Sequence, residues 1–193
     1  DWPYKEGLRI DEAMHDLTTM SGLPGFAVLE PFSADQIAPL LDWAINSHTG
    51  SSYIRLTSIP YNHQSELVDC GYVERGKGHL LRSGKDLTFV VTNPVLTSEV
   101  LQAADFLQSR GTEATVIATP WINLFDRNWY EKVLPANSPL ITVENHFVDN
   151  GFGTQFRWLQ CRWGKHKRYP HRCYHPSETH HGRRRTCSHP HLD

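Results

Sequence analysis

Gly84-Lys85-Asp86-Leu87-Thr88-Phe89-Val90-Val91-Thr92-Asn93-Pro94 sets a short β-branched, apolar run between a glycine and an Asn-Pro pair. Consecutive apolar residues over so short a span predict a strand buried on both faces of a parallel sheet, ended at Asn93-Pro94. From Pro94 to Arg110, Val100, Leu101, Ala104 and Leu107 recur at helical spacing; Thr97 or Ser98 can cap the main run, and Gly111 sits where a C-terminal glycine belongs. Thr115 to Ala118 reads as the next strand, Asp126 as the cap of a helix through Val133, and Pro139 to Val143 as a third strand. Strands alternating with helices require right-handed crossovers and a parallel sheet, so the fold class is α/β.

Upstream, the chain from Asp16 to Pro31 reads as a helix that gives way through Leu23-Pro24-Gly25 to a strand. Ser33 has cap chemistry for a helix from Ala34 through Asn46, with Ile37, Leu40, Leu41 and Ala44 on one face and Pro39 as a possible kink. The strand Ser52 to Leu56 follows. This divides the chain into part of one α/β domain (1–60), a glycine-bearing linker (61–83), a second α/β domain (84–156) and a tail (157–193).

The wording of the second domain resembles the C-terminal domain of the transketolase family. The resemblance rests on Gly84-Lys85-Asp86, Ala103-Ala104-Asp105-Phe106-Leu107, Ile122-Asn123-Leu124-Phe125-Asp126, Thr142-Val143-Glu144-Asn145-His146 and Gly151-Phe152-Gly153, in that order. No single word is specific, but their spacing over some seventy residues is hard to obtain by chance. Residues 16–31 resemble the end of that family's pyrimidine-binding domain. The resemblance implies a three-layer domain on a parallel sheet with a mixed edge, preceded by the end of a pyrimidine-binding-like domain. It also implies thiamine diphosphate with magnesium as cofactor, transfer of a ketol or acyl unit from a small-molecule carbonyl substrate, and either an N-terminal transketolase subunit or a second copy as partner, a dimer being the family habit.

Against the family, the sequence has no Gly-Asp-Gly with a downstream Asn and nothing in place of the glutamate that protonates the aminopyrimidine ring. The cofactor is therefore expected to be held mainly by parts outside this sequence, and no catalytic, cofactor-binding or metal residue is assigned. Where relatives carry a substrate histidine, the register gives Leu8-Arg9-Ile10-Asp11; His15 lies nearby but reads as a partly exposed helix histidine. Where transketolases place a phosphate-binding arginine, Ser58 stands. The chain begins at Asp1 with no initiator Met, which is consistent with an excerpt, a processed piece or a truncated reading.

Three residues remain as candidates for an active-site wall or subunit interface: Arg55, Glu144 and His146. Glu144 and His146 follow a parallel strand at its carboxyl end, where open α/β sheets carry functional groups. Two readings stand for each. Glu144 either faces a neighbouring chain or caps the next helix, His146 either does the same or packs against the linker, and Arg55 is either a site cation or structural. Gly151 and Gly153 allow a tight turn and close packing rather than a phosphate loop.

Beyond Phe156 the composition changes. Residues 157–193 carry nine Lys or Arg against two acids, while residues 1–156 carry ten against nineteen. Seven of the twelve histidines and three of the four cysteines also fall in the tail, which has too few aliphatic residues to build a core and reads as disordered. Cys161, Cys173 and Cys187 lack compact zinc-finger spacing, and Arg183-Arg184-Arg185 could attract nucleic acid only through charge. The favoured reading is a shifted coding frame near Phe156, with loss of the closing helix and exposed apolar surface. No segment reaches the ~20 apolar residues of a membrane span, no signal peptide opens the chain, and a cytoplasmic location is expected. The function expected is that of a transketolase-like C-terminal segment, inactive alone, contributing interface and active-site wall. The alternative is a non-catalytic interaction module or a truncated, non-functional product.

Overall fold

The computed structural model describes residues 15–61, 70–135, 138–147 and 150–161. The chain opens on helix α1 (Asp16–Ser21) and turns at Gly25, whose φ of 76° suits a residue without a side chain. Strand β1 (Ala27–Leu29) follows and pairs in parallel with β2 (Ser52–Ile54). Between them, Ser33 accepts from the Asp35 N–H and starts a 3-10 turn over Ala34–Gln36 that runs into α2 (Ile37–Asn46). Pro39 lies in the first turn of α2 rather than in its interior. It is the third residue of α2, where a backbone N–H would have no helical partner to lose. The apolar face is narrower than its spacing predicts: Leu40 is fully buried, whereas Leu41 is exposed.

The second sheet has four strands in the order β3 (His79–Arg82), β5 (Ala114–Ala118), β4 (Leu87–Val91) and β6 (Leu140–Val143). The pairs β4–β5 and β4–β6 are parallel, while β3 is antiparallel to β5 and forms the mixed edge. Here the expected linker needs correction, because its last residues form β3. Its four residues have no alternation to betray it, and it exists only by pairing with β5.

Asn93, not Thr97 or Ser98, caps α3 (Pro94–Gln108). Its side-chain oxygen accepts from the Val95 N–H at 2.9 Å, with Pro94 preset at the first helical position. Asp126 caps α4 (Arg127–Val133) by accepting from the Trp129 N–H at 3.1 Å, as its position predicts.

Strand alternation divides the interior into two layers. Val91, Val116 and Ala118 face α3 and pack with Val100, Leu101 and Ala104. Val90 and Ile117 face the other way, onto Tyr130 of α4 and onto Phe152 and Phe156 of the last helix, α5 (Phe152–Cys161). A closing helix is thus present and crosses the boundary drawn at Phe156, and both of its phenylalanines are fully buried. The remainder of the expected tail lies outside the described residues.

Leu17 of α1 and Val28 of β1 belong to the same cluster as Val90, Phe152 and Phe156, so the first segment shares a core with the second. The backbone reinforces that contact. Leu29 bridges Trp121 antiparallel, the Glu30 N–H donates to the Pro120 oxygen at 2.8 Å, and the Ile122 N–H donates to the Val28 oxygen at 3.0 Å. Asn123 completes the row, its side chain accepting from the Val28 N–H and donating to the Phe26 oxygen, both at 3.0 Å.

Candidate functional site

Four parallel strands from the two sheets end beside one another. Glu30 follows β1, Arg55 follows β2, Asn93 follows β4, and Glu144, Asn145 and His146 follow β6. The side chains of Glu30, Arg55, Asn93, Asn145 and, through Asp16, His146 form one connected polar network, while Glu144 beside it is bonded to the start of the last helix. Arg55 is its hub: Nε lies 3.2 Å from Asp16 Oδ2, Nη1 lies 3.4 Å from Glu30 Oε1, and Nη1 donates to Asn145 Oδ1 at 2.8 Å.

Each carboxylate is held differently. Asp16, the first residue of α1, accepts from the Tyr53 hydroxyl at 2.8 Å and from the Leu17 N–H at 2.8 Å. Glu30 is fully buried and accepts from Asn93 Nδ2 at 3.1 Å. Burial pushes its carboxyl above the usual range, and Arg55 opposes that push only in part. Glu144 accepts from the Phe152 N–H at 2.5 Å and the Gly153 N–H at 2.8 Å, which makes it the cap of α5. Desolvation nevertheless lifts its carboxyl to about 7, against the lowering effect of those two bonds.

His146 is buried with Nε2 3.7 Å from Asp16 Oδ1, and its ring meets Phe147 edge-on. Burial lowers its pKa more than Asp16 raises it, so the neutral imidazole is favoured. His15 sits exposed at the start of α1 and stacks on Phe147 at 5.2 Å.

The three residues singled out in the sequence are therefore brought to one place. Arg55 joins Asp16, Glu30 and Asn145, His146 approaches Asp16, and Glu144 stands at the α5 end of the same region. What the sequence did not reveal is their company: Asp16, Glu30, Tyr53 and Asn93. A local signal did exist, since Glu30 and Asn93 each stand just before a proline, within two residues of the carboxyl end of a parallel strand. Ser58 is exposed and takes no part in the network.

A family model described as "Transketolase, C-terminal domain" matches residues 76–189. The chain belongs to the transketolase C-terminal domain family. It is 32% identical over 144 residues to an uncharacterized transketolase family protein of Sinorhizobium fredii, covering 74% of this chain and 41% of that protein. It is 31% identical over 144 residues to the 6-deoxy-6-sulfo-D-fructose transketolase subunit of a Clostridium species, covering 74% of this chain and 43% of the subunit. Among solved structures it is similar to a split-gene transketolase described as an inactive beta4 tetramer. That likeness has a TM-score of 0.68 and 27% identity, and covers 78% of this chain and 49% of the other. The chain thus spans less than half the length of each of these relatives.

Relatives named as 1-deoxy-D-xylulose-5-phosphate synthase and as pyruvate dehydrogenase E1 beta subunits bring thiamine diphosphate into question. The described residues do not fit the diphosphate and its metal. No group of three or more His, Cys, Asp or Glu side chains among them could hold a metal ion. The cation of the network is engaged with two carboxylates and an amide. A separate cleft of about 160 Å³ at the start of α3 is lined by Pro60, Tyr61, Val95, Ser98 and Glu99, and the Glu99 carboxylate would repel an anion. Arranged in this way, the network can orient and stiffen strand ends, and it can hold or release a proton. No helix among the described residues is long and apolar enough to cross a membrane.

Proposed function

We propose that this chain is the C-terminal segment or subunit of a transketolase-like, thiamine-diphosphate-dependent enzyme that transfers a ketol or acyl unit from a small-molecule carbonyl substrate. It supplies subunit interface and active-site wall and is inactive by itself. One observation carries the reading: the carboxyl ends of four parallel strands from two sheets converge on a single polar network, in the position where open α/β sheets carry function. In this role Arg55, Glu144 and His146 fix the shape of the wall rather than touch reacting atoms. The cofactor, when bound, supplies the carbanion-stabilising thiazolium. It and its magnesium are held mainly by the rest of the assembly.

The resemblance to proteins named as subunits supports a partner chain, either an N-terminal transketolase subunit or a second copy. The test is calorimetric. Thiamine diphosphate with magnesium titrated into this chain alone should give no binding heat, whereas the same titration after mixing with an N-terminal transketolase subunit should give binding together with ketol transfer. Clear micromolar binding by the chain alone would overturn the division of labour. Failure of the mixture to bind the cofactor or to transfer would favour a non-catalytic interaction module.

A further inference from the structure

His79, the first residue of β3, is buried against the first segment, where a single amide meets its ring. That amide belongs to Gln36, fully buried in the 3-10 turn, whose Nε2 lies 3.3 Å from His79 Nε2. Which nitrogen donates is decided at the other end of the amide. The Phe32 N–H donates to Gln36 Oε1 at 3.2 Å, so the amide oxygen faces Phe32 and the NH2 group faces the histidine. An NH2 group only donates. His79 Nε2 must therefore accept, which makes the ring neutral with its proton on Nδ1; a hydrogen bond with the Tyr72 backbone favours keeping that proton.

The enclosure offers a second proton nothing to bond. Among the described residues, Phe32 meets the ring edge-on at 5.0 Å, Tyr72 covers it at 4.2 Å, and Ala118 of β5 is its strand partner. The acid that acts on it is Glu74, which is exposed and engaged with Lys77, and Asp35 beside Gln36 is exposed to solvent. A proton on Nε2 would set one donor against another in a desolvated space. The amide cannot turn round to relieve this, because its NH2 group would then face the Phe32 N–H.

We propose that Gln36 and His79 form an acid-released clasp between the first segment and the β3 edge: a proton taken from water at His79 Nε2 expels the Gln36 amide and frees Phe32 with it. The effect reaches the polar network, since Phe32 stands two residues beyond Glu30, which Arg55 and Asn93 hold at the end of β1. The direction follows from the hydrogen-bond pattern. The closed clasp has no place for a second proton, whereas an opened histidine takes one up near its ordinary pKa of about 6.5, so the closed state loses ground as pH falls through that value. Burial lowers the pKa of the enclosed ring, which acts in the same sense.

Amide hydrogen exchange in the full chain, together with a long-range nitrogen-15 spectrum of the His79 ring, tests this. At pH 7.5 the ring should carry its proton on Nδ1 and none on Nε2; a protonated Nε2 would overturn the proposal. Protection of the Phe32 amide, corrected for the intrinsic rate, should fall about tenfold between pH 7.5 and pH 5.5. The Val90 and Ile117 amides in the sheet should change less; an equal fall there would assign the proton to unfolding of the whole chain and refute the clasp. His79→Phe keeps an aromatic ring that cannot titrate, and it should lower Phe32 protection at pH 7.5 and flatten its slope. A flat wild-type profile, or an unchanged slope in His79→Phe, sinks the idea. Should that variant fail to fold, titration of the wild-type ring decides: a midpoint below the ordinary value of about 6.5, with Phe32 protection falling, supports the clasp, and an ordinary midpoint refutes it.

Discussion

Arg55 Nη1 donates to Asn145 Oδ1 at 2.8 Å, tying the end of β2 to the end of β6 across ninety residues of chain. The same guanidinium neutralises Asp16 and approaches Glu30, so one side chain holds both segments together at the strand ends.

Removing that cation should therefore cost more than a surface pair would. Arg55→Met leaves Asp16 and Glu30 without their counter-charge and is expected to destabilise by roughly 3–5 kcal/mol at pH 7. The deficit should shrink as pH falls, because Glu30, whose carboxyl burial already pushes up, takes up a proton more readily once Arg55 is gone. Arg55→Lys should recover only part of the loss, since a single ammonium cannot span Asp16 and Asn145 together. Urea unfolding at pH 7 and at pH 5 measures all three effects.

Asn93 does two jobs at a positive φ of 71°, capping α3 and donating to Glu30. Asn93→Gly keeps the backbone comfortable but loses both side-chain bonds, at an expected cost of about 1–2 kcal/mol. Asn93→Asp keeps an acceptor for the cap but sets a second carboxylate beside buried Glu30, and it should be the worse variant at pH 7. Reversal of that order in thermal melts would show that the Glu30 contact matters less than the backbone.

His146 has its pKa lowered in the fold, chiefly by burial. The unfolded chain thus binds the proton more readily, and the stability contributed by the neutral ring is complete above about pH 6.5 and drains away as pH falls through that value. Glu144 acts with the opposite sign, its raised pKa removing stability as pH climbs from the ordinary carboxylate range toward about 7. Comparing wild type with His146→Asn between pH 5 and 7.5 isolates the histidine part: the wild-type curve should dip on the acid side relative to the variant.

Phe156 lies fully buried against Phe125, Tyr130 and Phe152, with ring centroids 5.0 to 5.6 Å away. Phe156→Ala should destabilise by about 3–5 kcal/mol through lost transfer energy and a cavity. A loss below about 1 kcal/mol in chemical denaturation would mean that α5 contributes little to the shared core.

The elements that were legible in the sequence are those with local causes. The run at β4 has its own composition, and Asp126 announces α4 by its position before a helical stretch. By contrast, β3 is made by its partner, and no local reading of His79-Leu80-Leu81-Arg82 could find β5. Phe152 and Phe156 stand one helical turn apart, but the abrupt rise in charge after Phe156 hid the helix they begin. At the site, Arg55, Glu144 and His146 stood out as polar residues at strand ends. Asp16 and Glu30 did not, because they reach Arg55 only through the parallel pairing of β1 with β2, which no local reading of either strand reveals.

The pairing of Leu29 with Trp121 bears on how the chain could be divided. Backbone bonds from Glu30 to Pro120 and from Ile122 to Val28, the double grip of Asn123, and a common apolar interior make the two segments halves of one folded object. A cut made between residues 61 and 70 would sever the polypeptide without parting its pieces. They would leave a sizing column together and separate only in denaturant.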